Sequence, residues 1–213
     1  MAYAILRLKK LKQNQLNAAW KHGQNRENIP HLSHPERSKE NMLITAQERY
    51  KGKGLTERAN MRIADFYQRA VRKDAVKAVE VVLSFSPEAA LWIDTDERRM
   101  EWITANLRFL ADRFKKENIL AARVDFDEST MHMHAFICPE KDGRLSAKLL
   151  LGNKYDLSKL QSDYADAMSV FGLSRGVNTI DHPEQKQYNV PIRKFWAHQR
   201  DMERANENAV IGG

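Results

Sequence analysis

Polar and apolar residues alternate through Tyr3-Ala4-Ile5-Leu6-Arg7-Leu8, and that period of two predicts a strand over residues 2–8. A short helix or helical turn follows at 15–22. Residues 23–42 are polar and include Pro30 and Pro35, which predicts a long loop. Helical spacing returns at 45–49 and at 55–74, where Ala59, Ile63, Phe66 and Ala70 form one apolar stripe. Residues 78–85, rich in β-branched side chains, read as a strand. Ser86-Pro87-Glu88 is a helix-start signal. A long amphipathic helix is expected over 96–117, with Trp102, Leu107, Leu110 and Phe114 inward.

Strands at 119–126 and 131–139 flank the turn residues Asp127-Glu128-Ser129-Thr130 and make a hairpin. Asp142-Gly143 marks another turn, and 157–171 a third long helix. The pattern weakens after Asn178, with a terminal helix expected over 191–204. Strands and helices mix without a βαβ repeat. The expected class is α+β, a single domain with a mostly antiparallel central sheet and helices packed on one side of it.

Composition narrows the picture. A chain of 213 residues holds one domain with a substantial core, or two small ones. No run of 18 apolar residues exists to form a membrane helix. The first ten residues place their charges after a very short apolar run, the reverse of a secretory signal. The single cysteine, Cys138, rules out an internal disulfide and fits a reducing cytoplasm. Its expected role is that of a buried structural thiol. The net charge of +7 is unevenly spread: residues 1–73 hold 16 Lys/Arg against 6 Asp/Glu, and 74–213 hold 19 against 22. A basic N-terminal third points to a polyanion, most simply a nucleic-acid backbone. Isolated glycines at Gly143 and Gly152 make no phosphate loop.

The candidate chemistry lies on the hairpin. In Asp125-Phe126-Asp127-Glu128-Ser129-Thr130-Met131-His132-Met133-His134, three carboxylates and two imidazoles fall within ten residues. Residues two apart on a strand share a face, so His132 and His134 project together. So many ionisable groups are costly to bury unless they pair or hold an ion. Two imidazoles with one or two carboxylates suit Mn²⁺ or Mg²⁺ with water ligands, and accept Zn²⁺ or Fe²⁺. Cys138 stands too far along the strand to join them.

Four segments resemble a known family, the MobV-type relaxases (the Mob/Pre plasmid mobilisation enzymes) within the broader HUH endonucleases. Ala19-Trp20-Lys21-His22 looks like the N-terminal motif ending in Lys-His. His34-Pro35-Glu36-Arg37-Ser38-Lys39-Glu40-Asn41 resembles an Asn-Pro-x-Arg-Ser-x-x-Asn motif. Arg69-Ala70-Val71-Arg72-Lys73-Asp74-Ala75-Val76 resembles an Arg-x-x-Arg-Lys-Asp-Ala-Val segment. Residues 125–134 resemble the metal motif His-x-Asp-Glu-x-x-Pro-His-x-His, and Gly143-Arg144-Leu145-Ser146-Ala147-Lys148 follows it. The match runs from residue 1 to about 175.

This resemblance implies a metal-dependent DNA relaxase of HUH-like architecture, with a catalytic domain over 1–195 and a tail or truncated region over 196–213. It implies nicking of one strand at a plasmid transfer origin, for conjugative mobilisation. His22 would be the nucleophile, leaving a phosphohistidine at the 5′ end and a free 3′-OH. Some members carry a tyrosine just after the Asn of the second motif; here that position is Met42. The implied metal ligands are His132, His134, Asp125 and Glu128, with Mn²⁺ favoured and Mg²⁺ the alternative. Glu128, Arg69 and Arg72 are expected to assist catalysis, the two arginines from one helix face. Lys21, Arg26, Arg37, Asn41 and Lys73 are expected at the DNA, and Trp20 is either a base-stacking or a core residue. Asp125 stands where the family has its first histidine, and Met131 where it has proline. Expected partners are origin-of-transfer DNA, a second copy through a C-terminal region beyond this chain, and a coupling protein. A rolling-circle initiator, a transposase-type nuclease and a metal-stabilised DNA-binding repressor are the rival readings.

Overall fold

The computed structural model describes residues 1–24, 34–45 and 47–185, apart from the side chains of 22–24 and 185. Arg26, the helix expected over 191–204 and the expected boundary at 195/196 lie outside the described residues. The chain forms two compact units, Met1–Gly176 and Val177–Gly213. In the second, a turn at Asn178 accepts the Asp181 and His182 amides, and the short 3-10 turn Pro183–Gln185 follows.

The first unit contains β1 (Ala2–Lys12), α1 (Gln13–Gln24), β2 (Met42–Ile44), α2 (Leu55–Phe66), β3 (Val76–Phe85), α3 (Ala90–Ile93), α4 (Arg98–Phe114), β4 (Ile119–Asp125), β5 (His132–Ile137), β6 (Glu140–Lys141), β7 (Arg144–Leu145), α5 (Ala147–Leu151), α6 (Lys154–Ala167) and β8 (Leu173–Ser174). Six strands form one sheet in the order β2-β4-β5-β3-β1-β8. All pairs are antiparallel except β1 with β8, which makes the sheet mixed. Strand β1 runs four residues past the expected Leu8 because β3 pairs with it from Ala4↔Phe85 to Leu11↔Ala78.

The two faces of the sheet are covered differently. Val79, Val81, Leu83, Met133, Ala135 and Ala122 face a large core closed by Trp102 and Leu110 of α4 and by Leu160 and Tyr164 of α6. Trp102 meets Phe85 edge-on, with ring centroids 5.4 Å apart. On the opposite face Leu11, Ala78, Ala121, Phe136 and Cys138 meet Leu16 of α1 and Leu55, Ala59 and Ile63 of α2. Helices therefore lie on both faces, not on one side as the pattern predicted. Burial pushes the Cys138 thiol up to about 12, as expected of an inert structural cysteine.

This second core covers only one end of its face. Strands β3, β4 and β5 continue past it, and there the same face carries Glu80, Arg123, Asp125, His132 and His134. Apolar residues thus line one end of a sheet face and ionisable ones the other. Among the described residues, no helix is long and apolar enough to cross a membrane.

Candidate metal centre

The β4–β5 hairpin pairs Asp125 with His132 and Arg123 with His134. Directly opposed residues share a face, so the register alone gathers these four groups. His132 Nε2 lies 3.7 Å and His134 Nε2 3.9 Å from the same atom, Asp125 Oδ2. Asp125 is fully buried, and both rings are largely so. These three residues can each offer one ligand atom to a single ion.

The hydrogen bonds fix which ring nitrogens are bare. His132 Nδ1 is 2.9 Å from the Thr130 carbonyl, which can only accept. Nδ1 therefore carries the proton, and Nε2 of the neutral ring presents its lone pair. His134 Nδ1 is 2.9 Å from Glu80 Oε1, and its Nε2 likewise faces inward. Burial, reinforced by the neighbouring His134, lowers the His132 pKa and favours the neutral ring. Glu80 is buried too, which opposes its ionisation. Its hydrogen bond to His134, together with the charges of His134, Lys9 and Arg123, outweighs that and holds the carboxyl below its usual range.

Two bare nitrogens and a carboxylate oxygen thus converge. Electron-rich atoms this close repel unless a cation lies among them. Ligands on an ion at about 2.1 Å stand roughly 3.0–3.5 Å apart, so small side-chain movements would close the shell. The donor set fits a divalent ion. Arg123 grips Asp125 from behind, with Nε to Oδ1 and Nη2 to Oδ2 both at 2.8 Å. Glu128 Oε2 stands 3.8 Å from His132 Nε2, at the rim of the cluster.

Glu80 and Arg123 escaped the sequence reading, yet each left a signal. Glu80 interrupts the apolar run Val79-Glu80-Val81-Val82-Leu83, and Arg123 stands two before Asp125. A lone charge inside a central strand needs a partner.

The segment around the second motif is a clasp on the metal loop. Ser38 Oγ and Asn41 Nδ2 donate to Asp127 Oδ2 at 2.6 and 2.8 Å. The Phe126 amide donates to Asn41 Oδ1 at 2.8 Å, and the His34 amide to the Asp127 carbonyl at 3.0 Å. Arg37 binds Asp94 through two hydrogen bonds of 2.7 and 2.9 Å. Those bonds raise the Arg37 pKa. The Arg37 and Arg99 guanidiniums each lie 5.6 Å from the Phe126 ring. Arg37 and Asn41, expected at the DNA, therefore make their described bonds within the protein.

The other expected residues scatter. Lys21 is exposed on α1, and His22 follows it in the same helix. Trp20 is half-buried and packs against the second core: the Arg58 guanidinium lies 4.9 Å from its ring, and Phe136 meets it edge-on. Helix α2 ends at Phe66, so Arg69 and Arg72 share no helix face, a correction to the expected helix over 55–74. At 12 residues α2 is about 18 Å long. The chain then leaves it, with Tyr67 extended, on its way to β3 at Val76. Arg72 pairs with Asp74 at 3.2 Å in solvent, and Lys73 is exposed. Arg69 lines a groove with the β6–β7 hairpin and stands apart from the Asp-His-His cluster.

The mixed sheet, the helices on its two faces and the Asp-His-His cluster define the class: a relaxase-type fold with a candidate divalent-metal centre. Solved structures of the MobM relaxase domain share the fold. A Mn-bound form with 23-nucleotide plasmid pMV158 oriT DNA matches with a TM-score of 0.80 and 25% identity, covering 93% of this chain and 98% of that one. A Mn-bound 22-nucleotide complex matches with a TM-score of 0.74 and 28% identity, covering 88% and 96%. The sequence profile of the Mob/Pre family, the plasmid recombination enzymes, matches residues 1–194. The chain belongs to that family. It is 33% identical over 202 residues to plasmid recombination enzyme type 1 of Staphylococcus aureus, covering 88% of this chain and 49% of the relative. A Streptococcus agalactiae plasmid recombination enzyme is 30% identical over 181 residues, with 83% and 36% covered. The chain thus spans half or less of the length of these curated relatives.

Proposed function

We propose that this domain nicks one strand of a plasmid transfer origin by metal-assisted transesterification. The observation that carries the reading is the convergence of His132 Nε2 and His134 Nε2 on Asp125 Oδ2. A divalent ion held there, with Glu128 at the rim, supplies charge neutralisation at the non-bridging oxygens of the scissile phosphate. Mn²⁺ is the favoured ion, because the related MobM structures are Mn-bound; Mg²⁺ is the alternative.

The protein's own groups do the rest. Glu80 and the Thr130 carbonyl hold each imidazole with Nε2 inward. Arg123 fixes the Asp125 carboxylate. The His22 imidazole bonds to phosphorus as the bond from phosphorus to the 3′ oxygen breaks. The imidazole then loses its proton and the leaving oxygen gains one, giving a 5′-phosphohistidine link and a free 3′-OH. Lys21 and Lys73 contact the backbone of the DNA, and the Arg37–Asn41 segment acts by holding the metal loop in place. The setting is conjugative mobilisation in the bacterial cytoplasm, with origin DNA as partner. Dimerisation through a further C-terminal region, and a coupling protein, belong to the same reading.

The test incubates a supercoiled plasmid carrying a Mob/Pre-type origin with the protein and Mn²⁺. Relaxed DNA bearing protein on its 5′ end is expected, and His22→Ala is expected to lose the adduct. An adduct formed by His22→Ala would remove the nucleophile assignment. Full nicking after EDTA treatment would remove the metal role.

A further inference from the structure

A groove of about 660 Å³ lies between the end of α2 and the β6–β7 hairpin, lined by Phe66, Tyr67, Arg69, Arg144, Leu145 and Leu149 among others. It borders the second core, against which Phe66, Tyr67 and Leu145 are packed. The metal cluster stands at the other end of β5. From His132 to Ile137 that strand covers about 16 Å, and none of Asp125, His132 and His134 lines the groove.

We propose that this groove binds one or two nucleotides of single-stranded DNA away from the scissile phosphate. This rests on the relaxase reading for its ligand, but its own evidence is separate. Among the described residues, no acidic one lines the groove. The side chains of Arg69 and Arg144 have no hydrogen bond or ion pair among the described residues, and both residues are exposed. Two nearby carboxylates are already satisfied, and a third, Asp142 at the hairpin tip, is exposed to solvent. Glu140 accepts from the Gly143 amide, Asn118 and Lys115, and Asp65 accepts from Arg49. Two unpartnered guanidiniums without a countercharge suit phosphate.

The walls suit a base. The Phe66 and Tyr67 rings meet edge-on, with centroids 6.5 Å apart, and Tyr67 is half-buried. A basic groove with aromatic side chains is how proteins hold single strands without reading their sequence. A concave site of this volume takes a splayed nucleotide, whereas a duplex presents a convex surface. The hairpin that carries Arg144 turns tightly. Its two-residue turn places Asp142 and Gly143 at φ 52° and 70°, as a tight antiparallel turn requires. That geometry sets where the backbone of Arg144 leaves the turn, and its exposed side chain reaches from there.

The experiment measures binding of a fluorescein-labelled 20-mer of deoxythymidylate in EDTA, over a range of salt. Arg69→Ala/Arg144→Ala is expected to weaken binding at least tenfold and to flatten the slope of log K against log salt by about 1.4, for two lost phosphate contacts. Arg69→Lys/Arg144→Lys should keep most of that slope. Tyr67→Leu, which preserves apolar packing, should weaken binding roughly 5- to 100-fold. Light-induced crosslinking of an oligonucleotide bearing 5-iododeoxyuridine should map to Tyr67 or Phe66 in the wild type. Thermal melting guards against misfolded variants. An unchanged affinity and slope in the double alanine variant overturns the proposal, as does an effect confined to duplex DNA. The difference between wild type and the groove variants in EDTA reads the groove, while Mn²⁺-dependent nicking reads the relaxase function, so each can fail without the other.

Discussion

The segments at residues 34–41 and 69–74 are both short and both carry arginine and lysine, balanced by Glu36 and Glu40 in the first and opposed only by Asp74 in the second, and the fold uses them in opposite ways. In the first, Arg37 is bound to Asp94, while Ser38 and Asn41 grip Asp127, which is fully buried. In the second, Arg69 has no partner among the described residues, and Arg72 meets Asp74 only in solvent. The difference is one of surroundings. Residues 34–41 face buried carboxylates beside the metal loop, whereas 69–74 form an exposed connection between α2 and β3. A cation near a buried acid serves the fold, and a cation without one is left for a ligand.

Substitutions should separate the two segments. The largest effect is expected at Asp127→Ala, which leaves Ser38 and Asn41 without their acceptor. A loss of about 3 kcal/mol in urea unfolding is expected, with weaker Mn²⁺ binding by calorimetry because Glu128 is the next residue. Arg37→Ala should cost about 2 kcal/mol while leaving the salt dependence of DNA binding almost unchanged. An Arg37 variant of full stability with a flattened salt slope would erase the distinction.

A smaller effect tests the wall of the groove. Glu140 is buried, which opposes its ionisation, but bonds from Gly143, Asn118 and Lys115 hold its pKa below the ordinary 4.5. A depressed carboxyl stabilises the fold above its unfolded pKa and loses that contribution as pH falls through the folded value. Glu140→Gln should therefore be about 1 kcal/mol less stable than wild type at pH 7, with the gap closing below about pH 4.5. A gap that widens in acid would reverse the assignment. The smallest effects belong to Arg69→Ala and Arg72→Ala, each expected within about 0.5 kcal/mol of wild-type stability by thermal or urea unfolding.

The metal hairpin was legible because two local rules suffice for it. Period two puts His132 and His134 on one face, and the Asp127–Thr130 turn folds Asp125 back opposite them. The α+β class followed from element order in the same way. What the sequence could not show depended on distant partners. Three residues at 42–44 make a strand only because β4 offers Ala122 to Val124 as an edge. The apolar stripe of α2 runs on to Ala70 in sequence, but no glycine or proline marks the end that the fold imposes at Phe66. The role of Glu80 required knowing that β3 lies beside β5, a neighbour some fifty residues away.

The hydrogen bond from the His34 amide to the Asp127 carbonyl has a consequence for how such domains diversify. It ties the chain at residue 34 to the loop that carries Glu128, and both of its atoms belong to the main chain. The side chain at 34 can therefore be exchanged without loosening that tie, and here a histidine stands where the resembling motif has asparagine.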